Sequence, residues 1–193
     1  MAKILGNFHL ALLIGVLLLA AAMFGLHRGM MNHEYWVEFT RYLHVFAGIL
    51  WIGLLYYFNF VQIPTMPSVP AELKPGISKY IAPAALFWFR WAAVATVLLG
   101  LFLIELKSHD YAVHALTLEP SARTIGIGMW LGIVMALNVW LVIWPNQKRA
   151  LGLVPADDAS KARSASIAMM ASRTNLILSL PMLYCMITGA HVG

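Results

Sequence analysis

The sequence predicts an all-α integral membrane protein, a bundle of about five transmembrane helices forming one domain over residues 1–193. Three observations carry that expectation. First, 61% of the 193 residues are hydrophobic and only 11% are charged, whereas a soluble domain carries about 25% charged residues. Second, the mean hydropathy is +0.77, too high for a monomer dispersed in water. Third, five apolar segments, at about 8–26, 39–62, 84–106, 124–145 and 174–192, each approach the roughly 20 residues that a helix needs to cross a bilayer.

The first segment, Phe8 to Leu26, has His9 as its one polar oddity. Lys3 ahead of it and Ala20-Ala21-Ala22 near its end imitate a secretory leader, but the apolar run is long for one, so it reads as a retained helix. The second segment is taken up below. Pro64, Pro67, Pro70 and Pro75 follow it, and prolines this close predict a loop rather than more helix. The third segment opens with Arg90 about six residues inside it and closes at Glu105 and Lys107. A polar loop with His109, Asp110, His114 and Glu119-Pro120 is expected next. The fourth holds Gly128, Gly132 and Ala136 at four-residue spacing, a seam of small residues for close packing. Asn138 within it is expected to bond across helices, and Trp144-Pro145 to end it. Residues 146–172 form the longest polar stretch, with a short surface helix expected at about 156–172. The fifth helix is expected to start near Ser172 or Thr174 as N-cap and to kink at Pro181.

Orientation follows from the distribution of Lys and Arg. Lys3, Lys74, Lys79, Arg90, Lys148, Arg149, Lys161, Arg163 and Arg173 fall on one side, and Arg28, Arg41, Lys107 and Arg123 on the other. Nine against four predicts a cytoplasmic N-terminus and an outer C-terminus. The net charge of +5 is therefore a topology signal, not a nucleic-acid surface. Six of the seven histidines, all but His9, then lie at or beyond the outer face. Cys185 is the one cysteine, so there is no intrachain disulfide and no Cys-x-x-Cys-His for covalent haem.

The second segment carries the chemistry. At 100° per residue, His44, Gly48, Trp51, Leu55, Phe58 and Gln62 fall on one stripe. An ionisable group in a membrane helix is costly and usually functional. Gly48, one turn from His44, lets a flat ligand approach the backbone, while Gly53 on the other face is expected to pack closely. Two histidines on different helices at similar depth can hold a haem iron from both sides, and His44 and His191 meet that requirement. Trp51, Phe46, Phe58, Trp88, Phe89, Trp91, Trp130 and Tyr184 are the aromatic side chains available for a porphyrin wall, or for an interfacial belt. Arg90 suits a cofactor carboxylate, or else reaches the headgroups. Two other readings stay open: His44 as a histidine bonded to a neighbouring helix, and a copper or zinc site assembled from His27, His44, His109, His114 and His191. Glu105 is expected to pair with Arg41 or Lys107. No phosphate loop, Ser-His-Asp set or carboxylate pair is present.

Three stretches carry a family resemblance: Arg41-Tyr-Leu-His44-x6-Trp51-Ile-Gly53-x3-Tyr57-Phe58, Asn138-Val-Trp-x-Val-Ile-Trp144-Pro145-x-Gln147-Lys148 and Ala171-Ser-Arg173-Thr-Asn175-x4-Leu180-Pro181-Met182. In that order they resemble the membrane domain of the bacterial urate oxidase (urate hydroxylase) family. The resemblance implies a multi-pass protein of the bacterial inner membrane. Full-length members continue into a cytochrome c domain, which this chain, with its last residues just after His191, is expected to lack. What it implies here is a membrane redox module with non-covalent haem b, passing electrons to a soluble cytochrome c or to a protein partner in a membrane complex. The alternatives are a cofactor-free accessory subunit of a larger oxidase or respiratory complex, and a small-molecule oxidoreductase of urate oxidase type.

Overall fold

A computed structural model describes residues 2–191, and side chains up to residue 190. The described residues contain no strand. After a helical turn at Ala2–Leu5, the main elements are α1 (Phe8–His27), α2 (His33–Ser68), α3 (Lys74–Lys107), α4 (His109–Leu116), α5 (Arg123–Ala150) and α6 (Asp158–His191). Of these, α1, α2, α3 and α5 are long and apolar enough to cross a membrane. The chain is thus a multi-pass membrane protein whose apolar helices belong in a lipid bilayer.

Contacts divide the chain into two compact units, Met1–Phe39 and Thr40–Gly193, with the boundary inside α2. In the first unit, the Asn7 side chain caps α1 by accepting from the backbone N–H of His9 at 3.0 Å and of Leu10 at 3.2 Å. Gly29, at φ +84°, makes the turn that follows. Asn32 then caps α2 by accepting from the Tyr35 N–H at 3.0 Å. No residue of α1 is buried, as suits a helix apolar all round.

In the second unit the core is built from Trp51, Leu55 and Phe58 of α2, Leu86, Phe89 and Ala93 of α3, Met135, Val139 and Ile143 of α5, and Met182 of α6. Close approach of α5 to α6 depends on glycine. A Cβ on Gly128 would lie 3.2 Å from the backbone nitrogen of Met186, and one on Gly189 would lie 2.6 Å from that of Ile125. The expected small-residue seam is therefore real at Gly128. At Gly132 it is not, because a Cβ there would meet nothing within 4 Å.

The prolines end helices less than expected. Three π turns, at Tyr57–Gln62, Ile77–Ile81 and Val139–Ile143, each run into a residue followed by proline: Ile63-Pro64, Ala82-Pro83 and Trp144-Pro145. In each, the residue before the proline bonds five residues back, Ile63 to Phe58, Ala82 to Ile77 and Trp144 to Val139. A proline lacks the N–H and crowds the carbonyl of the preceding turn. Widening that turn relieves the crowding, so the helical path continues to Ser68 in α2 and to Ala150 in α5. The connection between α2 and α3 is only Val69–Leu73.

Two further expectations are corrected. The polar stretch after α3 is helical, because the Ser108 side chain accepts from the Tyr111 N–H and caps α4. The surface helix and the fifth span are one 34-residue helix, α6. No glycine or proline interrupts residues 158–180, and the cap is Asp157, whose carboxylate accepts from the Ser160 N–H at 2.8 Å and its hydroxyl at 2.6 Å. Those bonds hold the exposed Asp157 carboxyl below the usual range. α6 is not among the four spans found in the described residues, because its second half mixes Asn175, Ser179, Pro181 and Thr188 among the apolar side chains.

Asn138 bonds across helices as expected. Its amide N–H groups donate to the Ala171 carbonyl at 2.9 Å and to Asn175 Oδ1 at 2.7 Å. Asn175, fully buried, donates in turn to the Met135 carbonyl at 3.0 Å. Asn175→Ala is expected to cost about 1 kcal/mol of stability, read by unfolding in detergent micelles, with a non-additive cost when combined with Asn138→Ala.

Candidate functional site

His44 is placed by two features of α3. The first is a carbonyl: the Nδ1–H of His44 donates to the backbone oxygen of Thr96 at 2.8 Å. A carbonyl has no proton to give, so in the neutral ring Nδ1 carries the hydrogen and Nε2 keeps its lone pair. Donation of one ring N–H to a carbonyl is how proteins orient a metal-binding imidazole and raise its basicity. The second feature is a gap. A Cβ on Gly100 would lie 2.8 Å from His44 Cε1 and 3.0 Å from Nδ1, so only glycine leaves room for the ring in this pose. Gly48 completes the approach, with its Cβ position 3.7 Å from the Thr96 methyl.

The imidazole lines a cavity of about 520 Å³ within the second unit, in the range of small-molecule and cofactor sites. The walls come from α2 (His44, Gly48, Trp51, Gly53), α3 (Thr96, Gly100, Ile104), α5 (Met129, Gly132) and α6 (Met182, Met186, Gly189). Tyr111 of α4 adds an aromatic ring, and Arg41 and Lys107 add positive charge. Five glycines leave bare backbone around the space. Gly53 is one of them: nothing lies within 4 Å of its Cβ position, so it opens the cavity instead of packing a helix as expected.

Of the residues singled out from sequence, His44, Gly48 and Trp51 come together here. The His191 side chain lies outside the described residues, although its neighbour Ala190 lines the cavity. Arg90 is elsewhere. Its guanidinium stacks 3.4 Å over the Trp144 ring, and it does not line this space. Among the aromatics expected as a porphyrin wall, only Trp51 does. Phe58 and Phe89 instead pack edge to face in the core, 5.8 Å apart.

Two other histidines of this unit, His109 and His114, have local acidic partners. His109 Nδ1 is 2.7 Å from Glu105, the acid expected to pair with Arg41 or Lys107, and His114 Nε2 is 3.5 Å from Glu119. The hydrogen bond to Glu105, and then its charge, raise the exposed His109 imidazole above its ordinary range. Among the described residues, no three His, Cys, Asp or Glu side chains gather to hold a bare metal ion. An iron already held by four porphyrin nitrogens needs only one or two protein ligands, and the donor set around His44 suits that case.

Gly100, Thr96, Arg41 and Lys107 were not found from sequence as partners of this site. Only Gly100, a glycine in the middle of the apolar run Leu98–Leu103, left a trace that could have been followed.

Residues 108–192 match the family model described as urate oxidase N-terminal. The match covers α4, α5 and α6 together with two of the three stretches on which the resemblance rested, and its C-terminal end reaches the cavity wall. The stretch containing His44 lies outside it. No curated protein and no solved structure matches the chain.

Proposed function

We propose, with the urate oxidase N-terminal match over residues 108–192 as the premise, that this chain is a membrane redox module. It binds haem b without a covalent link, in the cavity beside His44, and passes electrons to a separate carrier such as a cytochrome c. The observation that carries this reading is the His44–Thr96 hydrogen bond of 2.8 Å. It fixes the tautomer, and a neutral imidazole with a free Nε2 beside a glycine-lined apolar cavity is a haem ligand by its chemistry. His191, next in sequence to the cavity residue Ala190, would be the second protein ligand to the iron.

Bound haem supplies a one-electron couple. The chain's own residues do the rest. The Thr96 carbonyl holds the imidazole orientation. Ile104, Met129, Met182 and Met186 exclude water, and the glycines let a flat ring lie against backbone. The count of basic residues favours the outer face of the membrane for this end of the bundle, and the family resemblance favours a bacterial inner membrane, where a soluble carrier can dock.

The test is a visible spectrum of the purified protein titrated with haem b. A Soret band and, on reduction, a sharp α-band are expected at one haem per chain. No band in a haem-replete preparation would remove this reading and leave the cofactor-free accessory subunit. Reduction of the band by urate alone would instead assign an oxidoreductase of urate oxidase type.

A further inference from the structure

We infer that a second cavity, between α2, α3, α5 and α6, binds the ring of a lipid-soluble hydroquinone through the Gln62 and Gln147 amides. Binding there stands apart from the haem reading, whereas its use as the electron source for the His44 site rests on that reading.

The cavity measures about 160 Å³ and is half-open. An apolar space of this size takes one six-membered carbocycle. Phe58 of α2, Leu86 and Phe89 of α3, Ile143 of α5 and Met169 of α6 supply hydrocarbon walls, and none of the lining residues is charged. Two glutamines interrupt that hydrocarbon from different helices. Gln62 closes the π turn of α2, and Gln147 lies just past Pro145 on α5. The Oε1 atoms of both are buried and meet no donor. A buried acceptor without a donor is costly, and proteins rarely keep one. Two of them around one cavity call for a ligand with two donors. Ser172 of α6 is a further polar group on the wall. Its oxygen accepts from the Asn59 amide at 2.9 Å, so its own proton is left to give.

A hydroquinone has the matching chemistry: a flat uncharged ring that suits hydrocarbon, with an O–H at each end. An amide offers its oxygen to that hydroxyl and, turned over, its N–H to the carbonyl of the oxidised ring. Both redox forms can therefore be held by the same two residues. The half-open side leaves room for an isoprenoid tail. Phe58 lies on this wall and Trp51 on the wall of the His44 cavity, about 10 Å apart along α2. On oxidation both O–H bonds break and both C–O bonds become C=O. The two protons pass to water, and the two electrons pass one at a time to the haem site and on to the separate carrier.

The test uses the whole protein in lipid nanodiscs. A decyl-substituted azidobenzoquinone is photolysed with it, and the adduct is mapped by mass spectrometry. Label is expected on the cavity-lining peptides of α2, α5 or α6, displaced by excess decylbenzoquinol. Gln62→Met with Gln147→Met keeps side-chain length and removes two unmet acceptors, so the variant should fold, as circular dichroism checks. It is expected to weaken quinol binding about tenfold or more, the scale of two neutral hydrogen bonds. In haem-loaded protein the quinol is expected to bring up the α-band, about tenfold more slowly in the double variant, while dithionite reduces both proteins alike. Displaceable label at the cavity with no α-band in any haem-replete preparation would overturn the haem reading and the electron step, and keep the quinol site. An α-band with dithionite but no displaceable label, or equal displacement in both proteins, would overturn the quinol site and keep the haem, leaving ordered water as the partner of the amides.

Discussion

His44→Ala is expected to abolish the reduced α-band and to lower haem affinity about 100-fold or more, while the protein still folds. The side chain contributes the ligand nitrogen, and its removal leaves only apolar burial and charge to hold the porphyrin. The fold should survive because His44 is only half-buried and belongs to neither core cluster. The Thr96 carbonyl, which loses a donor, sits in a helix, where a carbonyl has an intrahelical partner as well. His191→Ala should behave differently. With one axial imidazole left, the haem stays bound but becomes five-coordinate, its Soret band shifts and the sharp α-band fades. Unchanged spectra in His44→Ala would remove that residue as a ligand. Circular dichroism and the detergent unfolding midpoint check that either variant retains its helices.

Gly100→Ala is expected to weaken haem binding about 10- to 100-fold, the usual effect of disturbing the group that orients a metal-bound histidine. One methyl group suffices because its carbon would lie 2.8 Å from His44 Cε1 and 3.0 Å from Nδ1. The ring must move, and it is tethered by a 2.8 Å bond to Thr96 on the same helix. Moving it breaks that bond, frees the tautomer and turns Nε2 away from its present direction. Gly132→Ala is the matched comparison. It adds the same methyl group to the same cavity, where nothing lies within 4 Å, so it removes volume without touching the imidazole. A tenfold or greater gap between the two variants is expected. Equal affinities would mean that cavity volume, and not the histidine pose, controls binding.

The separate roles of these two residues show where sequence reading stops. His44 stood out because a titratable group in an apolar helix is conspicuous by composition, and Gly48 and Trp51 followed from helical spacing on the same element. Gly100 and Thr96 are 56 and 52 residues further along the chain. Nothing local to His44 records which carbonyl it meets or which residue must lack a side chain for the ring to fit. Arg90 shows the same limit from the other side. Its charge was visible, but the Trp144 ring that its guanidinium stacks on at 3.4 Å lies on another helix.

The prolines follow the same logic. Pro64, Pro83 and Pro145 each remove a backbone donor, and from sequence that reads as a helix end. Whether the chain breaks or widens by one residue depends on whether the neighbouring helices reward continuing. The buried Phe58 and Asn59, and the buried Val139 and Ile143, sit within two of the three π turns, so packing there favours continuation.

The sequence by itself determined that this is a helical membrane protein, roughly where its spans lie, and which histidine on α2 is out of place in hydrocarbon. Those properties follow from the hydropathy of consecutive residues and from a fixed helical period, both of which are local. The tertiary structure alone decided the tautomer of that histidine, the cavity it faces, and the fusion of two expected helices into α6. Each of these depends on which backbone approaches which across the bundle. That is settled by the packing of small residues such as Gly100, Gly128 and Gly189 against atoms far away in the chain, which no local pattern encodes.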